Sequence, residues 1–180
     1  MPMTQKLLFP SLLLAALAGC QADASRAPAT ARTISSVPVD LVARGEYLIK
    51  TSGCNDCHTA GYAERGGDVP TSEWLTGSPM GYHGPWGTTY AANLRLRLQE
   101  MDEAQWMEYS AHLRTRPIMP DFAVRAMTAE DRRAMYHFIR SLGPAGQPAP
   151  EYLPPGKTPP APYFGLVLPT APADPKTAAK

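Results

Sequence analysis

Cysteine is scarce in this chain of 180 residues. The three present are too few for the two to four disulfides that staple small secreted domains, and too few for a four-sulfur zinc site. An excess of charge of one sign is also missing. Lys and Arg number 17 against 16 Asp and Glu, a formal net charge of +1; without Lys6 the remainder is neutral. Arginines alternate with acids over Arg95, Arg97, Glu100, Asp102 and Glu103. That balance disfavours a nucleic-acid binder, which needs surplus positive charge. Long hydrophobic runs are lacking too. The apolar stretch Leu7–Ala18 falls short of the about 20 residues that cross a bilayer as a helix. No strand-like alternation of any length and no internal repeat is visible.

Proline is abundant instead, with 20 residues of 180, about twice the usual ~5%. More than half of it follows Gly143. The compact part is therefore Asp40–Gly143, about a hundred residues and one small domain. A large enzyme with its own substrate domain is excluded.

Residues 1–19 have the form of an export leader, with Lys6 ahead of the apolar run and small residues at its end. Leu17-Ala18-Gly19-Cys20 resembles the lipobox of bacterial lipoproteins. The resemblance implies cleavage before Cys20, a diacylglycerol on its sulfur, and a mature chain fixed to a membrane outside the cytoplasm. Acyl chains contribute ~0.8 kcal/mol per buried methylene, so such anchoring is effectively permanent. The alternative is an ordinary leader cut elsewhere, with Cys20 a bystander. Residues 20–39, rich in Ala, Ser, Thr and Pro, read as a flexible tether spanning on the order of 25 Å.

Within 40–143, Asp40 is placed to cap a helix carrying Leu41, Val42, Gly45, Leu48 and Ile49 at helical spacing. The Gly-rich stretch from Gly61 to Ala91 is expected to be loop. Acidic Asp102 and Glu103 open a second helix to Leu113. Thr128, with Glu130 and Asp131, opens the last helix, whose Met135, Phe138, Ile139 and Leu142 share a face before Gly143-Pro144 stops it. The expected fold class is all-α with long Gly/Pro-rich loops. Residues 144–180 form a Pro-rich extension whose apolar anchors, Tyr152, Leu153, Tyr163, Phe164 and Leu166–Leu168, suit an extended, polyproline-like strap across the domain. A partner-docking tail is the other reading.

Cys54-Asn55-Asp56-Cys57-His58 carries the chemistry. It is the C-x-x-C-H pattern of covalent c-type haem attachment. Two thiols that spacing apart reach both vinyl groups, and the adjacent imidazole supplies an axial bond to iron. A thiol–disulfide redox pair would want a βαβ context, a zinc site more ligands, and a disulfide here would close a trivial loop. A porphyrin would also complete the core of so small a domain.

On these residues Asp40–Gly143 resembles the class I, single-haem cytochrome c family. The matching features are Arg44-Gly45-Glu46-Tyr47 ahead of C-x-x-C-H, a late Met119-Pro120, and the closing helix Asp131–Leu142. The resemblance implies that the first and last helices cross with Gly45 against Phe138. Gly87-Thr-Thr-Tyr90-Ala-Ala-Asn93 further resembles a stretch in cytochrome domains of dehydrogenase complexes, without the threonine–acid continuation usual there.

His58 is one axial ligand. For the other, Met119 is expected: Pro117 and Pro120 stiffen its loop, which suits a weak thioether bond. Met80 and His83 are the rivals; Met107 and Met135 read as core, His112 and His137 as helix-surface residues. Trp86, Tyr90 and Asn93 are candidate donors to the haem propionates, with packing the equal alternative for Trp86 and Tyr90. Arg114 and Arg116 suit propionates or partner carboxylates. A backbone carbonyl near Pro70 is expected to hold the second nitrogen of His58. With both axial sites filled, the chain is expected to carry single electrons between a redox donor, such as a membrane dehydrogenase or quinol oxidase complex, and an acceptor. The rival is a haem enzyme or ligand sensor with an open or labile sixth site; a third reading is a structural subunit of a complex.

Overall fold

The computed structural model describes residues 40–168. The leader, Cys20, the tether and residues 169–180 lie outside the described residues.

The frame is a crossing of the first and last helices, and local sequence starts both. Helix α1, Leu41–Thr51, begins where the Asp40 carboxylate accepts from the amides of Val42 and Ala43. The last, α6 (Ala129–Ser141), begins where the Thr128 hydroxyl accepts from Asp131 N. Ala134, Met135, Phe138 and Ile139 on α6 pack with Leu48 and Ile49 on α1 in one buried core. The axes approach closely because Gly45 has no side chain. A Cβ there would overlap the Ala134 carbonyl and stand 2.6 Å from Phe138 Cβ. Arg44 closes the crossing through a 2.8 Å ion pair to Asp131.

Four shorter α-helices lie between α1 and α6 among the described residues, α2 (Cys54–His58), α3 (Leu94–Arg97), α4 (Glu103–Ala111) and α5 (Asp121–Ala126), with 3-10 turns at Thr71–Glu73 and Leu98–Glu100. Asp102 and Gln105 cap α4 reciprocally, and its buried Trp106 donates to Arg132 O at 2.7 Å. Arg95 on α3 is buried among carbonyls. Its Nε donates to Gly143 O at 2.6 Å, its Nη1 to Ser72 O at 2.7 Å, and its Nη2 to Leu142 O. A cation is thus set at the negative end of α6, where orphan carbonyls need donors.

The expectation of an all-α fold with a loop through Gly61–Ala91 is corrected by a small sheet. Strand β1 (Gly81–Gly84) pairs antiparallel with β2 (Gly87–Tyr90) around the two-residue turn Pro85-Trp86. Strand β3 (Tyr163–Gly165) joins β1 in parallel, giving the order β2-β1-β3. The pattern hides in the sequence because Gly81, Gly84 and Gly87 carry no side chain to show alternation. Nor is the extension polyproline-like throughout. Leu153 exchanges both backbone hydrogen bonds with Thr88, at 2.8 and 3.0 Å, and β3 is a true strand.

A methyl group at Gly45 must push the two helices apart. Gly45→Ala is expected to cost about 2–3 kcal/mol of stability, measured by denaturant unfolding.

Candidate functional site

The pentapeptide Cys54–His58 is α2 itself, a single helical turn that puts Cys54, Cys57 and His58 on the wall of one cleft. The cleft has two lobes that share Cys57, His58, Ala92, Thr115 and Met119. The inner lobe, about 200 Å³, is apolar, with Leu98, Trp106, Leu113, Val124, Met135 and Ile139 in its wall. The outer lobe, about 290 Å³, is bordered by Tyr82, Thr89, Tyr90, Arg114 and Arg116. An apolar plate with an anionic edge fits that division.

His58 is fixed by its surroundings. Its Nδ1 lies 2.7 Å from Ala92 O. A carbonyl can only accept, so Nδ1 carries the proton and Nε2 keeps its lone pair. Burial pushes the imidazole below its ordinary range, the Ala92 bond opposing, so the ring is neutral as a metal ligand must be. The acceptor is Ala92 rather than a carbonyl near Pro70. The reason is the fold of the Gly-rich stretch: Gly77 N donates to His58 O at 2.8 Å, and Ser78 N to Ala91 O at 3.2 Å. These bonds lay residues 91–93 back across α2.

The thiols of Cys54 and Cys57 are unpaired. Burial raises the Cys54 thiol to about 11, the opposite of the lowered values that activate thiol–disulfide exchange. Among the described residues no three His, Cys, Asp or Glu side chains converge as a metal site.

The other expected residues separate. Met119 lines both lobes with His58. Tyr90 borders the outer lobe. Trp86 instead sits in the hairpin turn, with its indole N–H turned to Tyr82 O at 3.4 Å. Asn93 is corrected outright as a propionate donor. Its Nδ2 donates to Ala145 O and Gln147 O at 2.8 and 3.1 Å, and its Oδ1 caps α3 at Leu96 N. The carboxamide has nothing left to give. His83 is held 2.8 Å from Thr88 Oγ1 and packs on Tyr163. Neither it nor Met80 is in the cleft wall. His112, at the end of α4, lies beside Glu108 of that helix, and His137 on α6 meets Glu103 on α4.

Tyr82 was missed by sequence reasoning. Strand alternation puts it and His83 on opposite faces of β1. Its hydroxyl is held protonated by burial and by the neighbouring Cys57 thiol. The one sequence signal nearby is the dipeptide Gly84-Pro85, which marks a turn but not a strand pair.

The family model for cytochrome c matches residues 42–143, more than half of the chain. The chain belongs to the cytochrome c family. Neither the curated proteins nor the solved structures contain a match to it. The cofactor of this cytochrome is covalent c-type haem with iron. Its residues fit that group: Cys54 and Cys57 would hold it by thioethers, His58 by an axial bond, the inner lobe by its apolar wall, and Arg114, Arg116 and Tyr90 at the polar edge.

A covalent apolar group seated against that wall would extend the core of so small a domain, so folding is expected to depend on the cofactor. A Cys54→Ala/Cys57→Ala variant is expected to be largely unfolded, seen as loss of helical circular dichroism. Native-like helicity would sink that expectation.

Proposed function

We propose that this cytochrome carries single electrons with His58 and Met119 as its two axial ligands, on a chain fixed by lipid at Cys20 to a membrane outside the cytoplasm. The observation that carries the axial pair is their common cleft: of the methionines and histidines weighed as sixth ligand, Met119 alone lines both lobes beside His58. When bound, the haem supplies a one-electron Fe(II)/Fe(III) couple, and a thioether ligand favours the reduced form.

The chain's own residues hold the geometry. The bond from His58 to Ala92 fixes the ring and leaves Nε2 free to bind. The apolar lobe excludes water, and Arg114 and Arg116 offset negative charge at the edge. The Met119 loop is closed on itself. Asp121 N donates to Met119 O at 2.9 Å, and Thr115 N donates to Asp121 Oδ2 at 2.7 Å. Arg125 bridges Asp121 Oδ1 and Leu113 O, both at 2.6 Å. A weak ligand is thus presented by a short, pinned segment.

The export leader and the Leu17–Cys20 motif support attachment to a membrane outside the cytoplasm. A tether of that length keeps the domain near its own membrane and raises its effective concentration toward partners there. Those partners are a donor of the dehydrogenase or quinol-oxidase type and a redox-protein acceptor; no nucleic acid is involved.

The ferric protein is expected to show the Met–iron charge-transfer band at neutral pH, and the ferrous protein to resist carbon monoxide. Met119→Ala is expected to abolish the band and admit carbon monoxide while keeping its covalent haem. A wild-type protein that lacks the band and binds carbon monoxide rapidly would instead favour a haem enzyme or sensor.

Acid tests the loop. The backbone N–H of Thr115, and then Arg125, hold the Asp121 carboxyl below its ordinary 3.8. A lowered pKa contributes stability above the unfolded value, lost as pH falls through the folded one. The band is therefore expected to persist to below about pH 4 and then bleach. In Asp121→Ala the titrating carboxyl is gone, so the band should be weaker already at neutral pH and the acid step due to Asp121 should disappear, read by acid titration of the band.

A further inference from the structure

Beyond residue 143 the cytochrome c family match has ended, yet the chain returns to the cleft. Tyr152 lies in this returning strap, half-buried. The guanidinium of Arg116 sits over its ring, 3.8 Å from the centroid. The Tyr152 hydroxyl donates to Trp86 O at 2.8 Å. One residue on, Leu153 exchanges two backbone hydrogen bonds with Thr88. Next to Thr88, the Thr89 hydroxyl donates to Pro117 O at 2.6 Å.

Two fasteners therefore reach the segment just before Met119. One runs from Tyr152 through the cation–π contact to Arg116. The other runs from Leu153 through β2 to Pro117. Arg116 and Ile118 are otherwise exposed, so little else outside the loop's own Asp121 clasp holds this segment. The approach of the strap is built into the hairpin. Gly87 stands at φ +95°, and a Cβ there would overlap the Leu153 carbonyl oxygen. Only glycine accepts both that conformation and that contact.

We propose that the C-terminal strap is a brace for the sixth-ligand loop, with Tyr152 as the positioning residue that holds Arg116 and, through it, Met119. The proposal rests on the reading of Met119 as ligand. Its mechanism is a shift of population: a loop freed from the strap spends more time open, and an external ligand competes at iron in proportion to that open fraction.

The test uses the full-length, haem-loaded protein and imidazole as the external ligand of ferric iron. Hydrogen exchange of residues 115–119 is measured in parallel on the same samples. Loss of a cation–π contact of this kind corresponds to about a two- to tenfold change in an equilibrium. Tyr152→Ala is expected to tighten imidazole binding by about that factor and to speed exchange at 115–119, with covalent haem content unchanged. Tyr152→Phe keeps the ring over Arg116 and should stay near wild type. Arg116→Gln, which also removes charge at the haem edge, should change both readouts at least as much as Tyr152→Ala, and adding Tyr152→Ala to it should change them little further.

If wild type shows the charge-transfer band but Tyr152→Ala leaves both imidazole affinity and exchange unchanged, the brace is refuted. If wild type lacks the band, the Met119 reading fails, and the brace is judged on exchange alone. Faster exchange at 115–119 in Tyr152→Ala then upholds the strap as a brace of residues 115–119 but no longer of an iron ligand, and unaltered exchange rejects it.

Discussion

Iron ligation by His58 requires a neutral ring with a bare Nε2, and one hydrogen bond sets both the tautomer and the plane of that ring: Nδ1 to the carbonyl of Ala92, 2.7 Å away. Much of the irregular chain serves to bring that carbonyl there. Residues 91–93 must double back over α2, which needs the hairpin β1–β2, the bond from Gly77 to the His58 carbonyl, and an anchor for Asn93. The anchor comes from beyond the last helix, where Ala145 and Gln147 accept from the Asn93 carboxamide. A residue that looked like a cofactor contact is the pin that keeps the acceptor in place.

What could be read in the sequence was local, or depended on residue types with few alternatives. Asp40 and Thr128 announce their helices because a capping side chain reaches amides two or three residues away. Cys54, Cys57 and His58 stood out because C-x-x-C-H in so cysteine-poor a chain suits haem attachment better than a zinc site or a redox pair. Gly45 against Phe138 followed from the family resemblance and from the need of two crossing helices for a bare contact point. The acceptor of His58, the burial of Arg95 and the placing of Tyr82 on the cleft depend on contacts between segments far apart in sequence. Glycine also removes the alternation by which a strand is recognised, so the hairpin looked like loop.

Arg95 shows how far such distant contacts can invert a local reading. Among alternating charges it looks like one more solvated side chain. Burial pushes its pKa down, yet a guanidinium stays charged in any protein, so its cost is met by acceptors. Three carbonyls from two segments surround it. The same cation finishes α6, ties that helix to the turn at Ser72, and sits between Leu94 and Leu98, which border the inner lobe. Lysine could not replace it, since a single ammonium lacks the planar fork that reaches all three oxygens.

The proline-rich extension follows the same logic at the opposite rim. Proline has no amide to donate and holds chain extended, so a strap built from it gains backbone pairing only at its few other residues. Pairing is concentrated where it matters: Leu153 to Thr88, and β3 to β1. Both fall on the hairpin that carries Tyr82, Thr89 and Tyr90 to the cleft. A two-stranded ribbon is marginal alone, and a third strand is what such a hairpin needs for stability. The core domain supplies the C-x-x-C-H turn and the helical frame. The extension supplies the strand that keeps one wall of the cleft standing.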